Sequence, residues 1–242
     1  MFYTQDYVSR ISDFNKSGKI SYEAILQILE TAGSNHSNSV NDNVIKGSQN
    51  GTAWVLIDWA ISILRRPEDK DELNISTWTP KKSGSVAIYR DFVVTDASGN
   101  DIIKAEAKSC LLNLETGKLV RISDELMSSY ETEEKTVFER EPSRLRAPSE
   151  YEKTQKITVR RSDIDFNGHV HNTRYIDYAL EVIPQSVFDA DDICYIRIIY
   201  SKPLKADSDV IAKYHKTESG HLIGIYSDET LCTMIELKQC ND

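Results

Sequence analysis

Two stretches of the chain repeat one order of polar and apolar positions, 150 residues apart. Ser12, Asp13, Gly18 and Ile20 of "SDFNKSGKISYEA" fall on Ser162, Asp163, Gly168 and Val170 of "SDIDFNGHVHNTRY". In both, a polar turn leads into apolar residues spaced three and four apart. Ile25, Ile28, Leu29 and Ala32 share one helical face in the first copy. Tyr175, Ile176, Ala179, Leu180 and Ile183 share one in the second, with Tyr175 falling on Ile25. That spacing predicts a half-buried helix after each turn.

Strand-like runs follow each helix. "AWVLIDWAISILRRP", "DELNISTWTP", "SVAIYRDFVVTD" and "KAEAKSCLLNLETG" come after the first; "ICYIRIIYSKP", "DSDVIAKYHKT" and "LIGIYSDETLCTMIELK" come after the second. Val86/Ile88 and Phe92/Val94 alternate with more polar residues, as strands with one buried face do. "DASGN" (96–100) and "ETGK" (115–118) read as hairpin turns. "LRRPEDKDEL" and "YSKPLKADSDV" each hold a basic residue, a Pro and an Asp four residues beyond it, which sets Pro67 against Pro203. The pattern predicts an α+β protein of two lobes, each a long helix wrapped by an antiparallel β-sheet. The N-terminal lobe is expected over 1–122 and the C-terminal lobe over 154–242. The charged stretch 123–153, with two prolines, reads as an exposed connector whose first part forms a short helix.

Composition narrows the class. Of 242 residues, 40% are hydrophobic and 28% charged, as in ordinary globular proteins. A net charge of −9 argues against a general nucleic-acid or anionic-membrane surface. "AWVLIDWAISIL" (53–64) is shorter than a membrane span and interrupted by Asp58. "MFYTQDYVSRISDF" has neither a basic nor an apolar leader region, so no signal peptide is expected. Four scattered cysteines without CxxC spacing fit reduced thiols, and the cytoplasm is the expected setting. Cys194 is expected to be a buried, inert thiol.

The candidate chemistry lies in the second turn. Asp165, Asn167 and His169 are spaced i, i+2, i+4, which would align them on one side of an extended segment. A helix starting near Asn172 would aim free backbone N–H groups at the same place, suited to developing negative charge. The first copy has Asn15, Ser17 and Lys19 instead: the glycine is kept and the polar trio is not. Asx residues near a helix start also serve as caps, so the two readings stand side by side. His171 completes "HVH", but two ligands fall short of the three or four that zinc sites use, and no metal is expected. Trp54, Trp59 and Trp78, with Ile57, Ile61 and Ile63, are expected in the core or lining an apolar pocket.

"DFNGHVHNTRY", "AWVL" (53–56), "TW" (77–78) and "YRDF" (89–92), set in the duplicated layout, resemble the acyl-acyl-carrier-protein (acyl-ACP) thioesterases of bacteria and plant plastids. The resemblance runs from about residue 5 to residue 237. It implies a tandem (double) hot-dog fold and cofactor-free hydrolysis of the thioester that joins a fatty acyl chain to the phosphopantetheine arm of acyl carrier protein. It further implies an acyl-chain pocket in the first lobe, with Trp54, Trp59, Ile57 and Ile61 as candidates to bound it, and chemistry in the second. Asp165, Asn167 and His169 map onto the family's catalytic Asp, Asn and His. Their expected roles are orienter or base, amide donor, and donor to the thioester or attacking water. Two departures stand out: His171 where Asn is usual, and Pro203 where a water-activating Glu is usual. With Pro203 unable to act as a base, Asp165, or a residue such as Glu181 brought close by the fold, would have to substitute; Glu181 otherwise reads as an ordinary polar helix residue. Carrier proteins are acidic, so Arg144, Arg146, Lys153, Lys156, Arg160, Arg161 and Arg174 form the expected docking cations. An acyl-CoA hydrolase and a non-catalytic binder of acyl chains or carrier protein are the alternatives. Monomer and homodimer are both compatible with two lobes in one chain.

Overall fold

The computed structural model describes residues 1–43, 47 and 51–240. They form two compact units, Met1–Glu141 and Pro142–Asp242. The stretch read as a connector is divided between them: its first part belongs to the first unit, where Tyr130 is fully buried.

The first unit is an antiparallel sheet packed on one helix. Its strands run in the order β1 (Tyr3–Tyr7), β3 (Leu73–Trp78), β4 (Ile88–Thr95), β5 (Asp101–Asn113), β2 (Thr52–Ile63). The short β6 (Leu119–Val120) also pairs with β5. Helix α1 (Tyr22–Ser39) starts at Ser21, whose Oγ accepts the Ala24 N–H at 3.1 Å. Ile25, Ile28, Leu29 and Ala32 are all buried, as their spacing requires. The helix lies close on β4, because a Cβ on Gly33 would stand 3.2 Å from Arg90 Cδ and 3.4 Å from Phe92 Cζ. β2 bulges between Leu56 and Asp58, so Ile57 is the extra residue, and Trp59, Ile61 and Ile63 then fall in the core. Ile88 is buried in β4, but Val86 precedes the strand and is exposed, so the alternation begins one pair later than the sequence suggested. Helix α2 (Asp124–Ser129), capped by Ser123, brings Tyr130 into a second cluster with Ile88 and Ile122.

One buried carboxyl in this unit is poised to titrate. Asp91 on β4 faces Glu106 on β5, and Asp91 Oδ2 accepts the Val137 N–H at 2.9 Å. Burial pushes the Asp91 carboxyl up to about 7; Glu106 adds to the rise, while the Val137 N–H and Lys82 oppose it.

The second unit orders its strands β8 (Ile193–Tyr200), β11 (Thr230–Gln239), β10 (Gly220–Ser227), β9 (Val210–Thr217), β7 (Lys153–Ile157), again antiparallel. Its helix differs from the first. The apolar spacing predicts one long helix, but α3 (Arg174–Leu180) has 7 residues against the 18 of α1, and α4 (Gln185–Ala190) follows separately. Pro184, extended at ψ 141°, lies between them and lacks the N–H that would continue the run. Among the described residues no helix is long and apolar enough to cross a membrane.

The internal repeat is legible in hydrogen bonds, with one correction. Ile20 N–H donates to Pro67 O at 2.8 Å, and Val170 N–H donates to Leu204 O at 2.8 Å. Asp71 Oδ2 accepts the Glu68 N–H at 2.8 Å, just as Ser208 Oγ accepts the Lys205 N–H at 2.9 Å. Pro67 therefore corresponds to Leu204, one residue beyond the Pro203 suggested by the sequence echo. The difference has a structural cost: Leu204 carries an N–H that Pro67 lacks. Tyr175 OH accepts that buried N–H at 3.0 Å, where the first copy has the apolar Ile25.

Two outcomes are expected. Tyr175→Phe strands the Leu204 N–H and lowers unfolding free energy by about 1–3 kcal/mol, read from the urea midpoint. Asp91 holds its proton in the folded state up to about pH 7, against about pH 4 when unfolded. Its contribution to stability is therefore lost as pH rises from about 4 to 7. Asp91→Asn removes that part of the slope, so the difference in Tm between variant and wild type grows in the variant's favour across this window.

Candidate active site

The polar turn is built the same way twice. In the second unit Asp165 N–H donates to His169 O at 2.8 Å and Gly168 N–H to Asp165 O at 3.1 Å, with Gly168 at φ +78°. Asp165 Oδ1 accepts the N–H groups of Asn167 at 2.8 Å and His169 at 3.1 Å, an Asx turn. In the first unit Asn15 N–H donates to Lys19 O at 2.8 Å and Gly18 N–H to Asn15 O at 3.0 Å, with Gly18 at φ +73°. Asn15 Oδ1 accepts from Ser17 N–H at 2.9 Å and Lys19 N–H at 3.2 Å. The left-handed glycine closes the segment, so Asp165, Asn167 and His169 are gathered by a tight turn and not by alternation along an extended strand.

Beneath each turn lies a buried carboxylate. Asp163 accepts the Arg160 N–H at 2.9 Å and the Tyr178 OH at 2.8 Å, and pairs with Arg160 Nη2 at 2.9 Å. Burial pushes the Asp163 carboxyl up, but the bonds from Arg160 and Tyr178 outweigh it and hold the group below its ordinary value. Asp13 likewise accepts the Arg10 N–H and the Tyr7 OH, both at 2.6 Å.

What the copies share makes the turn; what differs is not required by it. The amide oxygen of Asn15 makes both bonds that Asp165 Oδ1 makes, so the charge and second oxygen of Asp165 are surplus to the geometry. The Asn167 amide and His169 imidazole have no hydrogen-bond partner among the described residues; Asn167 is exposed, while Asp165 and His169 are half-buried. His171 takes the place of the capping Ser21, and its Nδ1 accepts the Thr173 N–H at 3.4 Å. Arg174 N–H donates to His171 O at 2.9 Å. These two N–H groups at the helix start are thus engaged locally, contrary to the expectation that they are offered to a ligand.

Three residues of interest escaped the sequence reading. The hydroxyl of Tyr175, read only as a helix-face position, supports the strand end beside the turn, and Tyr200 OH donates to Asn172 O at 2.9 Å. Phe166, between Asp165 and Asn167, is 66% exposed where the first copy has Lys16. The repeat held the signal for both Tyr175 and Phe166, since Tyr175 adds a hydroxyl where Ile25 has none and Phe166 replaces the cationic Lys16.

The remaining candidates are dispersed. Trp59 and Ile61 lie in the first-unit core, Trp59 with its ring centroid 5.3 Å from that of Phe92. Trp54 packs instead on the Ile88–Ile122–Tyr130 cluster and donates its indole N–H to Asp42 at 3.0 Å, while Ile57 is the half-buried bulge residue. Of the cations, Lys156 pairs with Asp209 at 2.8 Å, Arg160 and Arg174 with Asp163 at 2.9 and 3.8 Å, and Lys153 Nζ reaches Ile183 O at 3.4 Å. Arg144, Arg146 and Arg161 are exposed and have no ion pair among the described residues. Pro203 is exposed, and Glu181 closes α3 at the surface. Burial and the neighbouring Cys240 push the half-buried Cys194 thiol up to about 11, the opposite of an activated nucleophile. Among the described residues no three His, Cys, Asp or Glu side chains gather as metal ligands.

Both units match known families. The model of the acyl-ACP thioesterase N-terminal domain matches residues 1–130, and that of the C-terminal domain matches residues 146–236. Oleoyl-acyl carrier protein thioesterase 1, chloroplastic, of Arabidopsis thaliana is 27% identical over 90% of this chain and 64% of its own length. The oleoyl-acyl carrier protein thioesterase of Coriandrum sativum is 26% identical over 85% of this chain and 60% of its own. The chain thus spans somewhat less than two thirds of these relatives. Among solved structures, the 12:0-ACP thioesterase from Umbellularia californica aligns at TM-score 0.86 and 21% identity, covering 98% of this chain and 96% of that one. An acyl-ACP thioesterase from Bacteroides thetaiotaomicron aligns at TM-score 0.85 and 20% identity, covering 98% and 97%. At such identities the likeness speaks to the fold, a tandem hot-dog. With a family model on each unit, together covering most of its length, the chain belongs to the acyl-ACP thioesterase family.

Proposed function

We propose that the chain hydrolyses the thioester of fatty acyl-ACP, releasing a free fatty acid and holo-ACP, and that Asp165, Asn167 and His169 do the chemistry. The observation that carries the site assignment is internal: Asn15 builds the same turn without a charge, so the Asp165 carboxylate serves something other than folding. Names shared by relatives of both plant and bacterial origin support the reaction class.

In this reading a water attacks the thioester carbonyl carbon while Asp165 Oδ2 takes its proton. The oxyanion accepts hydrogen bonds from the Asn167 amide and the His169 imidazole, whose donors are unengaged in the fold. Collapse breaks the C–S bond, and the pantetheine thiolate leaves and takes the proton held on Asp165, which restores the carboxylate. Pro203 offers no proton acceptor, so the turn's own carboxylate is the base. The first lobe holds the acyl chain; Trp59 and Ile61, with Trp54 and Ile57 farther along β2, are the residues proposed to bound it. Arg144, Arg146 and Arg161 lead the contact with the acidic carrier protein, because Lys153, Lys156, Arg160 and Arg174 are already engaged. Four free cysteines support a reducing, cytoplasmic setting, and the working form is a monomer or a homodimer.

Pro203 favours one second reading, a homologue that binds acyl-ACP without turning it over. Fatty acid release from a panel of acyl-ACPs, with acyl-CoAs beside them, separates the two. Asp165→Asn is expected to keep its unfolding free energy within about 0.5 kcal/mol of wild type, since Asn15 makes the same bonds. Its kcat falls by about 10²–10⁴. His169→Ala loses about 10²–10³ in kcat. An Asp165→Asn protein with wild-type turnover removes the carboxylate from the mechanism. Tight binding of acyl-ACP with no release at any chain length establishes the binding protein.

A further inference from the structure

The second-unit sheet has a half-open cavity on the face opposite α3. Tyr200 points to the helix side, where it donates to Asn172 O; its neighbours Ile199 and Ser201 alternate to the other side. The segment from Ser143 to Tyr151 crosses that other side and is tied down at both ends. Arg197, 5% exposed, donates from Nη1 to Ser143 O at 2.8 Å. The Tyr151 hydroxyl lies 2.9 Å from that of Tyr226 and rests over Gly224, where a Cβ would come within 2.7 Å of it. Under the arch between these ties is a cavity of about 450 Å³, within the size range of small-ligand sites. Its floor is Ile199, Leu231 and Met234, with Ile199 directly opposite Met234 in the β8–β11 register, and Ser201 at one end. Arg144 and Arg146 line the arch and have no carboxylate partner among the described residues.

An apolar floor under two uncompensated guanidinium groups suits an amphiphile with one anionic head. We infer that this cavity is a second binding site, separate from the turn, for an aliphatic carboxylate. Its chain lies on Ile199, Leu231 and Met234, and its carboxylate pairs with Arg144 and Arg146, whose planar forks match that group. The lining alone defines this ligand class; that a fatty carboxylate is also the reaction product rests on the proposed hydrolysis. The site backs directly onto the strand end that supports the turn, since Ser201 follows Tyr200.

Calorimetric titration of the full chain with dodecanoate tests the site without any thioester, so its outcome is independent of whether the protein hydrolyses acyl-ACP. Dodecanol and a lysophosphatidate of the same chain length are the comparison ligands. Arg144→Gln/Arg146→Gln, at exposed positions, is expected to weaken one class of dodecanoate site by at least about tenfold. Met234→Trp, which fills the floor, is expected to remove one equivalent of bound dodecanoate. Dodecanol is expected to show no dependence on the arginines. Unchanged affinity and stoichiometry in the arginine variant overturn the site, whether or not Met234→Trp folds. Arginine-dependent binding of the lysophosphatidate with none of dodecanoate overturns the carboxylate assignment in favour of a phosphate head.

Discussion

A buried carboxylate beneath each turn holds the architecture of both lobes. Asp163 is fully buried, yet it joins three separate pieces of chain. Its carboxylate takes the Arg160 backbone and side chain and the Tyr178 hydroxyl of α3, and its own carbonyl accepts the His171 N–H. Removing one partner of such a buried, bonded charge costs several kcal/mol, because the remaining groups lose their compensation. The end of the edge strand, the turn and the helix are thereby referenced to a single side chain. Asp13 does the same for the first lobe with Tyr7 from β1 in place of a helical tyrosine. The donor changes element between copies, but the acceptor does not.

Because the frame is common, the two turns act as an experiment already performed on one scaffold. The same backbone carries Asn, Ser and Lys in one copy and Asp, Asn and His in the other. Backbone hydrogen bonds and glycine conformation are indifferent to that exchange, which separates residues that make the turn from residues that use it.

Much of this was legible in the sequence. The 150-residue offset, the apolar faces of both helices and the hairpin turns follow from periodicity and turn chemistry, and all depend on local forces. What the sequence hid depends on tertiary context. The second helix stops at Leu180, ahead of Pro184, although its apolar spacing continues to Ile183, because periodicity reports which face is buried and not whether the N–H ladder is complete. The strand-end echo was misplaced by one residue because a shared Pro–Asp spacing outweighed the hydrogen bonds that equate Pro67 with Leu204. The proposed trio of Asp165, Asn167 and His169 stood out by residue type. Their i, i+2, i+4 spacing suggested an extended segment, and that Gly168 instead closes them into a tight turn, with Asp165 Oδ1 committed to it and Oδ2 not, could be seen only in the fold.

The exchange of Pro67 for Leu204 reaches beyond local bonding. Proline at that place removed a donor and, with it, any need for a hydroxyl on the facing helix, so Ile25 fits there. A tyrosine at 25 would now bury a hydroxyl with no backbone N–H to receive, and a leucine at 67 would bury an N–H with no hydroxyl to meet it. Each reversal alone is unfavourable, and only both together restore the arrangement. Positions 25 and 67 in the first unit, and 175 and 204 in the second, are therefore coupled pairs: a change at either member calls for a matching change at the other.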